Sequence, residues 1–331
     1  PQDLVTETTP GIECRQKAVP INAVGLYIPG GTAPLFSSVL MMAVPARIAG
    51  CRNIVMCTPP RKDGSIDPAI LFAAKYSGVT QVFKAGGAQA VAAMSYGTES
   101  IPKVDKIFGP GNQYVTAAKQ MVFLDGTAID MPAGPSEVMV VVDETSNPEY
   151  AAADLLSQAE HGADSQVVLV SSDEKTAEKT RSFLLRQLDQ LPRKQAASKA
   201  LEKSRLLILK KEDIPEIINF YAPEHLILST KDPEALVEKV ENAGSVFLGA
   251  FTPESLGDYA SGTNHVLPTN GSAKAFSGVN LDAFMKKITF QKATEDGLRR
   301  IGDAVETMAA AEQLEAHRMA VAVRTKNLNP S

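Results

Sequence analysis

Short apolar runs alternate with stretches of helical periodicity from residue 23 to residue 248. This alternation is typical of βαβ units and predicts a largely parallel sheet. In the first half of the chain, strands are predicted at 23–28, 53–57, 81–84 and 103–108, with helices at about 36–50, 67–77, 87–96 and 112–123.

The same alternation continues in the second half of the chain. Strands are predicted there at 138–142, 166–170, 205–209, 226–229 and 245–248, with helices at about 148–160, 173–190, 193–203, 212–221 and 232–242. Both halves therefore look Rossmann-like, although no internal sequence repeat relates them.

After residue 267 the alternation stops. A polar segment, 269–278, leads to one short predicted strand at 288–292 and a long predicted helix at about 294–324. That helix carries an apolar stripe at helical spacing, so it must dock on the body of the protein or on a partner subunit. The predicted fold class is α/β, with two Rossmann-like domains of parallel-sheet character and a helical C-terminal tail.

Three connections of the first half are rich in glycine and proline, at 29–34, 86–87 and 109–112. Each follows a predicted strand and precedes a predicted helix, so they should meet at the carboxyl edge of the sheet, where open α/β sheets bind ligands. None contains GxGxxG or the P-loop pattern. Their glycines still permit close backbone approach to a cofactor, with helix N-terminal amides available to phosphate, although glycine in such turns is also common for conformational reasons alone.

Composition narrows the class of protein. The 331 residues include 33 basic and 38 acidic side chains, for a net charge of −5, which argues against a nucleic-acid or anionic-membrane surface. The three cysteines are odd in number and lack CxxC spacing, which favours a reducing compartment and a cytoplasmic protein. We interpret Cys57 as a strand residue.

No apolar run reaches the ~18–20 residues of a membrane span, and no signal segment opens the chain. The chain begins at Pro1 without a methionine, which is expected of a processed, truncated or incomplete start.

Two of the four histidines stand beside other polar groups at predicted element ends. Gln158 and His161 are three residues apart on one helix face, as two metal ligands would be, although a histidine before glycine is also a common helix cap. Glu224 and His225 begin a strand, where a carboxylate and an imidazole can act as acid and base. An exposed loop pair is the alternative.

The other two histidines lie near the C-terminus. His265 closes a polar, glycine-spaced segment, 257–265, predicted as a loop in which Asp258 can ligate a metal. His317 follows Glu312 on the terminal helix, where a plain surface helix is the simpler interpretation.

Taken together, these motifs resemble histidinol dehydrogenase. The resemblance covers essentially the whole chain in order, and it rests on Glu312, His317 and the segments 26–34, 106–112, 129–137, 154–162, 223–226 and 257–268. It implies an enzyme that oxidises L-histidinol to L-histidine via histidinaldehyde, with reduction of two NAD and with one zinc ion per subunit.

The resemblance also implies roles for individual residues. Glu224 would activate water and His225 would be the general acid/base. The zinc ligands would be Gln158, His161, Asp258 and His317. The substrate contacts would be Ser136, Gln158, His161, His225, Asp258, His265, Glu312 and His317. The NAD contacts would be Tyr27, Gln89 and Asn112.

In the resembling family the enzyme is a homodimer whose C-terminal region completes the partner's site, and members carry a further N-terminal segment ahead of the position where this chain starts. The expected division is 1–22, a remnant packing on the second domain; 23–135, the NAD-side domain; 136–268, the substrate and zinc domain; and 269–331, the tail reaching the partner.

Three other classes of protein remain open from the residues alone. A zinc hydrolase would also place Glu beside His and a metal, although the HExxH motif is absent. A metal-free aldehyde dehydrogenase would need a nucleophilic cysteine, and Cys51 and Cys57 only flank a strand. A non-catalytic binding protein of periplasmic type would leave the histidines unexplained. The nitrogen and oxygen ligand set would also accept manganese or cobalt.

Overall fold

The computed structural model describes residues 3–30, 33–132 and 134–328, except for the side chains of 327 and 328. The strands are β1 (Leu4–Thr9), β2 (Ile12–Pro20), β3 (Ala23–Tyr27), β4 (Asn53–Cys57), β5 (Gln81–Phe83), β6 (Lys106–Phe108), β7 (Ala128–Ile129), β8 (Glu137–Val142), β9 (Gln166–Ser171), β10 (Arg205–Ile208), β11 (His225–Ser229), β12 (Ser245–Leu248) and β13 (Met285–Ala293). The helices are α1 (Phe36–Ala49), α2 (Pro68–Ser77), α3 (Gly87–Tyr96), α4 (Gln113–Leu124), α5 (Pro148–Ala159), α6 (Glu174–Leu188), α7 (Lys194–Glu202), α8 (Ile214–Tyr221), α9 (Pro233–Val237), α10 (Glu254–Tyr259), α11 (Glu295–Ala311) and α12 (Glu315–Leu328).

The chain divides into two compact units. One is built from both ends of the sequence, Pro1–Pro20 with Met285–Ser331, and the other is Ile21–Phe284. None of the helices in the described ranges combines the length and the apolar character needed to cross a lipid bilayer.

The Ile21–Phe284 unit contains two five-stranded parallel sheets. The first has the order β5-β4-β3-β6-β7 and the second β10-β9-β8-β11-β12. Their central strands are continuous apolar runs because helices cover both faces. In the first sheet α1 and α2 pack on one face and α3 and α4 on the other, and in the second α5, α6 and α7 pack opposite α8. The α/β class with parallel sheets and a helical C-terminal end is confirmed.

The unit formed by the chain ends contains a three-stranded antiparallel sheet, β1-β2-β13. The sequence predicted one short strand there, at 288–292, whereas β13 runs over nine residues because it pairs along the whole of β2. The prediction of a single terminal helix was also wrong. The helix breaks between α11 and α12, where Gln313 has a φ of 59°. The four-part domain division, including the packing of 1–22 on the second domain, stays a prediction.

Candidate functional site

A cavity of about 350 Å³ lies within the Ile21–Phe284 unit and is lined from both parallel sheets. The first sheet contributes the loops at the carboxyl ends of β3 and β6, including Pro29 and Pro110. The second sheet contributes residues at the amino ends of β8 and β11, including Ser136 and Glu224. Two of the three connections predicted to meet at the carboxyl edge of the first sheet, 29–34 and 109–112, thus contribute to the cavity. Three residues of the segments 26–34 and 129–137 lie outside the described residues: Gly31, Thr32 and Ala133.

Glu224 and His225 are buried in this cavity and do not form an exposed loop pair. They are 5% and 4% exposed, and His225 is the first residue of β11, where it pairs with Val138 of β8. The chain reaches this strand through Ala222, which ends α8 in a left-handed conformation with a φ of 52°. Glu224 and His225 are therefore held in place by their buried position at the start of β11.

The main chain of one residue holds both groups. The Glu137 N–H donates to Glu224 Oε2 at 2.9 Å, and His225 Nδ1 lies 3.2 Å from the Glu137 carbonyl oxygen. If Nδ1 carries the proton that this contact requires, Nε2 is left as the acceptor, and Nε2 is buried without a hydrogen-bond partner in the structure. Ser136 also hydrogen-bonds Glu224.

Burial shifts the pKa values of the pair in opposite directions. Loss of hydration lowers the pKa of His225 to about 3, and it raises the pKa of Glu224 well above its usual range. A further carboxylate, Glu254, approaches the same imidazole, with 3.8 Å between its Oε1 and His225 Nδ1. The imidazole is therefore neutral and borders two carboxylates.

The predicted metal ligands of α5 and α10 face the same cavity. Gln158 is fully buried at the end of α5, and neither amide atom has a hydrogen-bond partner. One ligand atom from each of His161, Glu254 and Asp258 lies within 4.8 Å of the others. A fully buried amide without partners is costly, and a cation bound at its oxygen would offset that cost. The donors present thus fit a divalent metal with nitrogen and oxygen ligands.

Sequence reasoning missed Glu254 and placed Asp258 in a loop. Both lie on α10, four residues apart and hence on one helix face. Burial raises the pKa of Asp258 to about 6 and that of Glu254 well above the usual carboxyl range. The acidic residue one helical turn before Asp258 was the available signal.

The remaining polar lining residues include one more imidazole and two more carboxyl groups. His265 reaches it with a buried Nε2 that has no partner, and burial lowers the pKa of this imidazole. Asp130 and Asp164 also line it, whereas none of the described lining residues is lysine or arginine. The carboxyl groups of Glu224, Glu254 and Asp258 all lie on the second-sheet side, and that side therefore favours cationic groups over anionic ones.

The three residues predicted to contact NAD occupy the first-sheet side. Tyr27 is buried, and its hydroxyl accepts a hydrogen bond from Gly87 N at 3.1 Å, which ties β3 to the start of α3. Asn112 lines the cavity and caps α4 by accepting from Tyr114 N and Val115 N. Gln89 is exposed in the first turn of α3.

Glu312 and His317 belong to the unit formed by the chain ends. Glu312 caps α11, His317 lies in the first turn of α12, and both are exposed. That these two residues form one site with the residues around Gln158 stays a prediction.

The buried cysteines do not supply a nucleophile. Burial raises the pKa of Cys57 to about 12 and that of Cys51 to about 11, so neither thiol ionises near neutral pH. This argues against the metal-free aldehyde dehydrogenase alternative.

The chain is similar to known proteins over nearly all of its length. A family model described as histidinol dehydrogenase matches residues 1–325. A histidinol dehydrogenase from Bacteroides thetaiotaomicron is 63% identical over 97% of this chain and 76% of the relative. One from Haemophilus influenzae is 55% identical over 99% of this chain and 76% of the relative.

Solved structures agree with the sequence matches. The crystal structure of a histidinol dehydrogenase from Elizabethkingia anophelis superposes with a TM-score of 0.97 at 58% identity, covering 100% of this chain and 76% of that one. An acetylating aldehyde dehydrogenase from Geobacillus thermoglucosidasius has a TM-score of 0.57 at 16% identity, covering 85% and 77%, which reflects the fold alone.

Proposed function

The chain belongs to the histidinol dehydrogenase family and is an oxidoreductase of that kind, and from this premise we propose that it oxidises L-histidinol to L-histidine. The alcohol would pass through histidinaldehyde, with reduction of two NAD. The observation that carries the proposal is the buried Glu224–His225 pair in a cavity that also holds Gln158, His161 and Asp258.

A zinc ion would be held by Gln158, His161 and Asp258, with His317 of a second copy as the fourth ligand in a homodimer. When bound, zinc would supply a Lewis-acid anchor for the amine and imidazole nitrogens of the substrate. The partnerless amide of Gln158 supports this assignment, because nothing else on the described chain satisfies it. The exposed position of His317 on α12 leaves it available to another chain.

His225 would take the hydroxyl proton as hydride leaves the alcohol carbon. Its low pKa keeps the ring neutral, and its free Nε2 is the acceptor. The imidazolium formed would be stabilised by Glu224, with Oε2 at 3.7 Å from Nδ1, and by Glu254 at 3.8 Å.

Glu224 would act in the second half-reaction, in which water adds to the aldehyde. Its carboxylate keeps one oxygen on the Glu137 N–H, which fixes its orientation. Burial raises its pKa, so that it is a stronger base than an exposed carboxylate. It would accept a proton from the attacking water, and the resulting hydrate can lose the second hydride.

Substrate would be bound by the cavity's acidic and imidazole groups. Ser136 and His265 line it from this chain, and Glu312 would reach it from the second copy together with His317. The absence of lysine and arginine from its described lining suits a substrate with an amine and an imidazole.

NAD would lie against the first sheet, where it accepts each hydride when bound. Tyr27, Gln89 and Asn112 would contact it. The glycine-rich turn before α4 lets its backbone approach closely, and Asn112 fixes the first turn of that helix.

The test is NADH formation from L-histidinol by the whole chain, before chelation, after chelation and after restoring zinc, manganese or cobalt. Two NADH per histidinol, lost on chelation and restored by zinc, are expected. Glu224→Gln should accumulate the aldehyde, which an aldehyde trap detects, and Glu234→Gln on exposed α9 is the matched control. A folded, metal-loaded dimer that forms no NADH would refute the proposal, and amide hydrolysis in its place would indicate a zinc hydrolase.

A further inference from the structure

A buried ion pair lies at the first-sheet side of the cavity, where one of its members, Asp130, is a lining residue. It joins Lys119 of α4 to Asp130, which follows β7, and the two side chains are only 3% and 2% exposed. Asp130 Oδ1 also accepts from Met131 N at 2.7 Å. The pair is thus desolvated, and its polar atoms are engaged.

Both members of the pair hold the same residue. Asp130 Oδ2 accepts from Gly109 N at 2.7 Å, and Lys119 Nζ donates to Gly109 O at 2.9 Å. Gly109 has a φ of +119°, and an added Cβ would lie 2.1 Å from the Tyr27 carbonyl oxygen. The peptide groups on either side of Gly109 are therefore fixed in a conformation that only glycine adopts.

Stability alone does not explain such a pair. Taking two charges out of water costs about as much as their attraction returns, and hydrophobic residues of similar volume often serve the fold equally well. The hydrophobic substitute, however, cannot hold Gly109 N–H and C=O. What the ion pair adds is the shape of the turn at 109–112, whose residues Pro110, Gly111 and Asn112 line the cavity.

We propose that Lys119 and Asp130 are positioning residues that preset the 109–112 turn for dinucleotide binding. The inference rests on the proposed use of NAD. It concerns affinity for the nucleotide, because neither side chain needs to touch the reacting atoms. Without the pair, the turn would sample several conformations, and the dissociation constant would rise by the inverse of the competent fraction.

The test separates positioning from stability by comparing Lys119→Met with Lys119→Met/Asp130→Leu. The single variant leaves a buried carboxylate unpaired and should melt at a lower temperature. The double variant should recover part of the melting temperature, because it leaves no buried charge unpaired. We expect its dissociation constant for NAD, measured by calorimetry, to stay raised about tenfold or more, with kcat, metal content and the KM for histidinol little changed.

Thr127→Val is the matched control, because it removes a buried hydroxyl pair with Ser95 (2.8 Å) that includes no atom of the turn. A double variant that regains both stability and wild-type NAD affinity would overturn the inference, as would an equal rise in the dissociation constant for NAD in the Thr127→Val control. If wild-type protein binds NAD but does not oxidise histidinol, the proposed function fails while the dissociation constants still decide the role of the pair. Wild-type protein that does not bind NAD would overturn both.

Discussion

Replacing Glu254 by glutamine should weaken metal binding without unfolding the protein. Glu254 is 1% exposed, its Oε2 is buried without a partner, and a ligand atom of its carboxylate lies within 4.8 Å of those of His161 and Asp258. Glutamine keeps the size and shape of the side chain but removes its negative charge. The substitution therefore isolates the electrostatic contribution of this carboxylate to a cation beside it.

The expected loss in metal affinity is about 10–100-fold, the range typical of groups next to the ligands of a metal site. This corresponds to about 1.4–2.7 kcal/mol. The melting temperature of the metal-free protein should not fall with the metal affinity. Burial, followed by the neighbouring carboxylates Asp258 and Glu224, raises the pKa of Glu254, so the folded state disfavours its charged form. A neutral amide at this position should leave the melting temperature equal or higher.

Metal affinity can be measured by competition with a chromophoric chelator at pH 7.5, with melting curves recorded for metal-free and metal-loaded samples. Glu234→Gln, on the exposed face of α9, makes the same change in net charge and should shift neither quantity. If Glu254→Gln binds zinc within twofold of the wild type, or if both variants lose affinity equally, the carboxylate does not act on the metal.

Four further outcomes follow from the site. His225→Asn should lower kcat by about 10²–10⁴ while zinc content is retained, and loss of zinc instead would indicate a structural role. Metal affinity should fall about tenfold per pH unit below about pH 6, because Asp258, whose pKa is about 6, is then protonated and its proton competes with the metal; an onset near pH 4 would contradict this. Gly109→Ala should lower the melting temperature, because its Cβ would meet the Tyr27 carbonyl oxygen at 2.1 Å, and an unchanged melting curve would refute that contact. Mixing His317→Ala chains with His225→Asn chains should restore part of the activity if the site is shared, and none if each chain is complete.

The sheets were predictable because buried parallel strands are continuous apolar runs, which stand out between helical stretches. β4 and β12 agree with their predicted bounds. β1 and β2 were missed for the opposite reason. Their residues are mostly exposed or half-buried and carry several charges, and only pairing with each other and with β13 makes them strands. Pairing between distant segments leaves no local pattern to detect.

The same distinction between local patterns and long-range structure applies to the residues of the candidate site. Gln158 with His161, and Glu224 with His225, are close in sequence, so their local patterns suggested shared chemistry before any fold was known. Glu254 was missed because α10 has only six residues and includes a glycine, which made the segment look like a loop. The burial of its carboxylate depends on the tertiary fold, which no short segment encodes.

The cavity meets opposite edges of the two sheets, and the carboxyl-edge rule was applied to the first sheet alone. Ligands of open α/β sheets usually meet the carboxyl ends of strands, where loops are free to vary. In the second sheet, however, Glu224 and His225 lie at the amino end of β11, held by the main chain of Glu137 at the start of the neighbouring strand β8. A sheet fixes the relative positions of adjacent strand starts more firmly than loops do. A site that must hold an imidazole and a carboxylate in one geometry gains from that rigidity, while the carboxyl edge of the first sheet carries the glycine-rich loops.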